Sequence, residues 1–231
     1  IMSIEIPATV TEIGVNPFVR CNQLATITVA EGNTTYTAQN GSLMKGATLI
    51  TGDRDMTIPA GVKKIGQKAF EGNGIGNYSI PEGIESIDDR AFQECAFRSI
   101  SFPSTVTEIT GNPFAGCDYV NSIEVDDNNP IYRSEGNAVI KGDVLVVGFK
   151  NTVIPATVTS FGKNAFTYCA SLSSIAIPSN ISSIGEEAFS ECYNLTSVFV
   201  QWENPVPITS ESTFTSRYEA TLYVPAGTAD D

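Results

Sequence analysis

The chain has 231 residues, 42% of them hydrophobic, which is enough apolar material for one large domain or two small ones. Its formal charge of −13 and isoelectric point near 4.3 repel phosphate backbones and anionic membrane surfaces, which excludes nucleic acid as an expected partner. It contains no histidine, so Ser-His-Asp and Cys-His catalysis, histidine metal ligands and the ordinary neutral-pH proton shuttle are all removed. No run approaches ~18 consecutive apolar residues, so no membrane-inserted helix is expected. The five cysteines include no C-x-x-C pair and fit neither a zinc pattern nor a dense disulfide scaffold. Neither a metal nor a cofactor is expected.

The chain opens on Ile1 without a basic-plus-apolar leader, so any signal peptide is expected to have been removed or to lie outside this sequence. "SIEI" (3–6) reads as a strand, and a coil is expected before it. Pro7 ends that strand, because proline cannot donate to a ladder. Pro7 also starts a pattern that recurs at Pro59, Pro81, Pro103, Pro155 and Pro178. Three residues on stand Val10, Val62, Ile84, Val106, Val158 and Ile181. Six residues on stand Ile13, Ile65, Ile87, Ile109, Phe161 and Ile184. Eleven residues on, every copy has phenylalanine: Phe18, Phe70, Phe92, Phe114, Phe166 and Phe189. Fourteen residues on come Cys21, Asn73, Cys95, Cys117, Cys169 and Cys192.

Strands follow at "LATITV" (24–29), "FRSISF" (97–102), "VNSIEV" (120–125), "LSSIAI" (172–177) and "LTSVFV" (195–200), where β-branched residues alternate. A period of 22 to 23 residues is too short for a helix pair and fits one solenoid coil with one strand, a turn and a return segment. The A-F-x-x-C segment suits a short helical or 3-10 turn. Asp88, Asp89, Glu186 and Glu187 precede that turn, where acids favour a helix N-terminus.

Two intervals between prolines are longer, at 52 residues, and their extra segments match at an offset of 96: "GNTTYTAQNGSLMKGATLI" (32–50) lies over "NNPIYRSEGNAVIKGDVLV" (128–146). The chain is therefore two copies of a larger unit. Each extra segment carries two short apolar runs around Lys-Gly, which predicts a β-hairpin on the flank of the solenoid.

The pattern I-x-I-P-x-x-V-x-x-I-G-x-x-A-F-x-x-C-x-x-L-x-x-I, best seen in "IAIPSNISSIGEEAFSECYNLTSVFV" (175–200), resembles the BspA-like class of leucine-rich repeats. The resemblance covers roughly residues 4–200. The Asn33, Tyr36, Gly41 and Asn129, Tyr132 segments look like the hairpin units found between such repeats. It implies an α/β repeat solenoid that is mainly β: a right-handed superhelix with a parallel sheet on one face, short helical or 3-10 turns and two β-hairpin inserts. The expected division is a single domain over 1–231, with six repeats over about 4–200, inserts over about 30–55 and 126–151, and a C-terminal cap over 201–231. The resemblance also implies a bacterial protein outside the cell or anchored at its surface, with a protein partner on a host or neighbouring cell.

Two departures stand out. Repeat two has Asn73 in the cysteine slot and is one residue short of the longest repeats. The slot for the family's buried asparagine ladder holds Thr9, Gly61, Gly83, Thr105, Thr157 and Asn180, so threonine side chains or turn backbone must satisfy the amides there.

Among candidate sites, the cysteine column reads as core packing. Cys21, Asn73, Cys95, Cys117, Cys169 and Cys192 recur at one core position, and a free cysteine behaves as a small buried hydrophobe. Strand alternation puts Thr26, Thr28, Ser99, Ser101, Ser122, Glu124, Ser174, Ala176, Ser197 and Phe199 outward. With Trp202, these form the expected binding face. The carboxylates Asp126 and Asp127 are not duplicated in the first insert, which has Ala30 and Glu31, so they predict no metal site. No nucleophile, base and orienting group can be assembled, so no enzyme is expected. The expected function is a non-catalytic surface module that binds protein in the manner of an adhesin. A glycan-binding module or a passive stalk is the alternative.

Overall fold

In the computed structural model, residues 2–21, 23–202, 206–208, 210–215 and 220–226 are described. The chain winds as a mainly β solenoid of about 9 turns. Three of the six recurring prolines directly end a strand. Strands Ser3–Ile6, Ala96–Phe102 and Ser174–Ile177 stop at the residue before Pro7, Pro103 and Pro178.

The longer strands pair in parallel with like residues opposed. Ile4 faces Ile27, Ile100 faces Ile123, and Ile175 faces Val198. They form three separate sheets: Ser3–Ile6 with Thr26–Val29; Ile75–Ser79 with Ala96–Phe102 and Ser122–Val125; and Ser174–Ile177 with Ser197–Val200 and Thr221–Tyr223. The V-x-x-I segments make a second row of two-residue strands. Lys64–Ile65, Ser86–Ile87 and Glu108–Ile109 pair in one sheet, and Ser160–Phe161 pairs with Ser183–Ile184 in another.

The two extra segments fold alike. Thr37–Gln39, Ser42–Lys45 and Thr48–Thr51 run antiparallel, and the last of them then pairs in parallel with Lys64–Ile65. Tyr132–Glu135, Ala138–Lys141 and Val144–Val147 repeat this arrangement beside Ser160–Phe161. The asparagine and tyrosine of each segment close the coil before it. Asn33 Nδ2 donates to Pro7 O (2.8 Å) and Val10 O (3.1 Å), and Ile13 N donates to Tyr36 Oη (2.7 Å). Asn129 and Tyr132 make the same bonds to Pro103 O, Val106 O and Ile109 N. Elsewhere the threonine slot bridges coils: Thr105 Oγ1 donates to Ile84 O (2.8 Å) and accepts from Gly83 N (3.0 Å).

The expected helical turn at A-F-x-x-C is not helical. The residue two after each phenylalanine has a left-handed φ between 58° and 74°: Arg20, Gly72, Glu94, Gly116, Tyr168 and Glu191. In four repeats the residue two before it is left-handed as well, at Lys68, Arg90, Asn164 and Glu187. A left-handed residue every four positions breaks any helix. The gain is a third ladder. Phe70 N, Phe92 N and Phe166 N donate to Ala91 O, Pro113 O and Ala188 O in the next coil, at 2.8, 2.8 and 2.7 Å. The acids before this turn therefore cap nothing helical. Asp89 Oδ1 accepts from Asn112 N (3.0 Å), Lys64 Nζ pairs with Asp88 Oδ1 (2.8 Å), and Lys163 Nζ pairs with Glu186 Oε2 (2.7 Å). Among the described residues the one 3-10 turn is Glu211–Thr213.

Phenylalanines stack between coils in two runs. Phe70, Phe92 and Phe114 have centroids 5.4 and 5.2 Å apart, and Phe166, Phe189 and Phe214 have centroids 5.1 and 4.8 Å apart. Phe214 extends the repeat into the tail. Before each run the chain has glycine instead. A Cβ on Gly52 would lie 1.9 Å from Phe70 Cε1, and one on Gly148 would lie 2.2 Å from Phe166 Cε1.

Candidate functional site

The outward strand residues fall in columns because the strands pair in register. Ser99 faces Ser122, Ser101 faces Glu124, and Ser174 faces Ser197. Thr26, Thr28, Ser122, Glu124, Ser174 and Phe199 are exposed, while Ser99, Ser101 and Ser197 are half-buried. The breaks between sheets divide the expected face into three patches. Thr26 and Thr28 lie on the first, Ser99, Ser101, Ser122 and Glu124 on the second, and Ser174, Ser197 and Phe199 on the third. Neighbouring hydroxyls engage one another: Ser101 Oγ donates to Ser79 Oγ at 2.9 Å.

Trp202 does not belong to this face. Its ring is half-buried against the second core cluster, and its Nε1 donates to Ile181 O (2.9 Å). An indole that packs a core and satisfies a turn carbonyl is sealing material. The aromatic partner of Phe199 is instead Tyr223, which the sequence reading missed. The rings stack with centroids 4.4 Å apart and planes 13° apart, with the residues 42% and 46% exposed. The register sets this contact, because Phe199 pairs directly with Tyr223 in the parallel ladder. The alternation in "TLYV" (221–224) was the signal available in the sequence.

The cysteine column also needs correction at one end. Cys95, Cys117, Cys169 and Cys192 are buried, whereas Cys21 is exposed. The buried position depends on the coil below. Cys95 Sγ, Cys117 Sγ and Cys192 Sγ donate to the Phe70, Phe92 and Phe166 carbonyls of the preceding repeat, at 3.2, 3.1 and 3.1 Å. Cys21 sits in the first repeat of this chain and meets no such carbonyl. Asn73 is half-buried and lines a cavity. Burial pushes the Cys117 and Cys169 thiols upward and that of Cys192 to about 12. None of the five cysteines is in a disulfide. A thiol reagent at neutral pH is therefore expected to titrate Cys21 alone in the native protein and all five after denaturation. A second fast native thiol would contradict the burial of the column.

Among the described residues, no group of three or more cysteine, aspartate or glutamate side chains is placed to hold a metal ion. No helix is long and apolar enough to cross a membrane, again among the described residues.

Parallel strands stacked coil on coil, with one hydrophobic column inside and one polar column outside, define a leucine-rich repeat solenoid. Residues 1–41, 53–136 and 146–225 match the BspA type leucine rich repeat region in six copies. The chain belongs to that family. Among solved structures it is similar to a leucine-rich repeat protein from Eubacterium ventriosum, with 20% identity over 88% of this chain and 61% of that one and a TM-score of 0.53. A leucine rich cell surface protein from Faecalibacterium prausnitzii is similar over 86% of this chain and 66% of its own, with 22% identity and a TM-score of 0.48. The chain thus spans less than two thirds of the length of either. No protein of curated function matches it.

Proposed function

We propose that this protein is an interaction module at the bacterial cell surface, and that it binds a protein of a host or neighbouring cell through the outward face of its longer strands. The observation that carries this reading is the exposed Phe199–Tyr223 stack, standing at one end of columns of short hydroxyl side chains. Exposed, rigid aromatics surrounded by small polar residues are what protein interfaces use as anchors. Membership of the BspA-type family supports the surface placement. The same pair also offers a flat platform for a sugar ring, which is the observation behind the glycan alternative.

The test is binding of the protein to an array of extracellular proteins and, in parallel, to an array of oligosaccharides. The expected result is a hit on the protein array that Phe199→Ala and Tyr223→Ala each weaken at least ~10-fold, the loss of one anchor. Binding confined to oligosaccharides would replace this reading with the glycan one. Binding to neither array would favour a passive stalk.

A further inference from the structure

The 96-residue offset allows the two extra segments and the turns after them to be compared residue by residue. In the second unit the hairpin tip, Gly136-Asn137, is fastened to the turn at 149–153. Val153 N donates to Gly136 O (2.8 Å), Thr152 Oγ1 donates to Asn137 O (2.8 Å), and Asn137 Nδ2 donates to Asn151 Oδ1. The long strand before the hairpin is fastened too. Asn151 Nδ2 donates to Asn121 O (3.4 Å), and Val125 N donates to Ser134 Oγ (3.1 Å). Just ahead of that strand, Asp118 Oδ1 accepts from Ser171 N and Oγ at 3.1 and 2.6 Å. Phe149 fills the gap, buried with its ring centroid 6.5 Å from Phe114.

The first unit follows the same path without these fasteners. Asp53 stands for Phe149, Asp55 for Asn151, Met56 for Thr152, Gly41 for Asn137, Ala25 for Asn121 and Ala38 for Ser134. The Thr57 amide is the counterpart of Val153 N, but it donates within its own turn to Asp53 Oδ1 (2.8 Å). Among the described residues, one hydrogen bond joins this hairpin to residues 53–57, from Asp53 N to Ser42 Oγ (3.0 Å). A cavity of about 930 Å³ stands between the first repeat and the second, against about 340 Å³ beside Phe149.

The ties that remain gather at the A-F turn. Asn16 Nδ2 donates to Lys68 O (2.8 Å), Asn16 Oδ1 accepts from Thr51 Oγ1 (2.6 Å), and Arg20 pairs with Glu94 (3.1 Å). The core of the first coil is also small. Ile6, Ile27, Tyr36 and Leu43 form it, while Val10, Phe18 and Leu24 are half-buried where Val106, Phe114 and Val120 are buried. The strand pair Ser3–Ile6 and Thr26–Val29 is a sheet of its own, bonded in register to no other long strand. Few buried apolar contacts, with ties confined to one side, are the features of an element that opens on a hinge.

We infer that the first coil is a flap, hinged at Asn16 and Arg20, whose strand pair swings away from the rest of the solenoid at this cavity. The patch with Thr26 and Thr28 then changes its angle to the patch with Ser99, Ser101, Ser122 and Glu124. A partner touching both patches would hold the flap in one position, by binding that position better than the others. The motion itself does not rest on the strand-face reading and is measured without a ligand, so the two can fail separately.

The experiment is pulsed electron paramagnetic resonance between spin labels on the full chain, with Cys21→Ser removing the exposed native thiol. One label pair, Thr28→Cys with Ser79→Cys, spans the first junction. The other, Glu124→Cys with Ala176→Cys, spans the second at the corresponding exposed positions. The expected distance distribution is at least ~2-fold wider for the first pair, as a hinge on one side requires. Adding Asn151→Ala and Thr152→Ala should widen the second pair. Adding Asp53→Phe, Asp55→Asn and Met56→Thr, the second unit's residues, should narrow the first. Equal widths without these additions, or a second pair indifferent to the loss of Asn151 and Thr152, would each overturn the proposal. So would a first pair that stays wide with the second unit's residues in place while the second pair is unaltered.

Discussion

Phe92→Ala is expected to destabilise the protein by about 3–5 kcal/mol, the range for emptying a fully buried aromatic site. Phe92 has no exposed surface and lies between two stacked neighbours, Phe70 and Phe114, with Phe97 edge-on at 5.9 Å. In a solenoid each coil is held chiefly by its neighbours. Removing this ring weakens two coil interfaces at once, and the backbone ladder through Phe92 N fixes the coil spacing, so the void cannot collapse freely. Phe214, half-buried at the end of the other run, touches one neighbour in the ladder, and Phe214→Ala should cost about half as much. Urea unfolding of the two variants measures both values. Equal losses at Phe92 and Phe214 would show that stacking between coils is not what the phenylalanines contribute.

Asn112→Ala is expected to cost about 1–3 kcal/mol, since it orphans the buried Phe114 N–H, while the Ala165 carbonyl keeps its bond from Gly148 N (2.8 Å). The Asn112 side chain is buried, accepts from Phe114 N (3.0 Å) and donates from Nδ2 to Ala165 O (3.1 Å), 53 residues away. In four repeats, at Phe70, Phe92, Phe166 and Phe189, the phenylalanine N–H reaches a carbonyl of the next coil, but here the next coil belongs to the extra segment and has Gly148 at that level. The asparagine amide stands in for the missing coil. Asn16 does the same in the first unit, bonded to Phe18 N, Lys68 O and Thr51 Oγ1. Asn112→Asp keeps the acceptor but sets a carboxylate oxygen against the Ala165 carbonyl, so it should be at least as damaging as alanine. Denaturant unfolding together with hydrogen exchange at the Phe114 amide tests this. Unchanged protection of that amide in Asn112→Ala would refute the bridging role.

Much of the fold was legible because a solenoid repeats its chemistry at fixed offsets. The prolines, the V-x-x-I pairs and the phenylalanines recur at one place in each coil, and the structure stacks them in register. The shape of the A-F turn was not legible. Its left-handed positions fall on Lys68, Arg90, Glu94, Tyr168, Glu187 and Glu191, residue types with no local preference for that conformation. Hydrogen bonds to the adjacent coil impose it.

The candidate site was legible to a smaller degree. Strand alternation found Phe199, but Tyr223 joins it only through pairing between segments 24 residues apart. Trp202 could be read as an anchor or as a seal of the last coil, and its bond to the Ile181 carbonyl and its half-buried packing make it a seal. The cysteine slot is a property of the sequence, yet burial of each thiol belongs to the coil beneath it, which is why Cys21 differs from Cys117. Likewise, Asp53 and Phe149 share a position in the duplicated pattern, and only the packing of one coil on the next makes the first the rim of a cavity and the second its plug. Sequence periodicity by itself determined the coil, its columns and their spacing, because those are set by local chemistry repeated along the chain. The tertiary structure decided which columns are sealed, broken or open, because burial is a contact between coils that no single coil encodes.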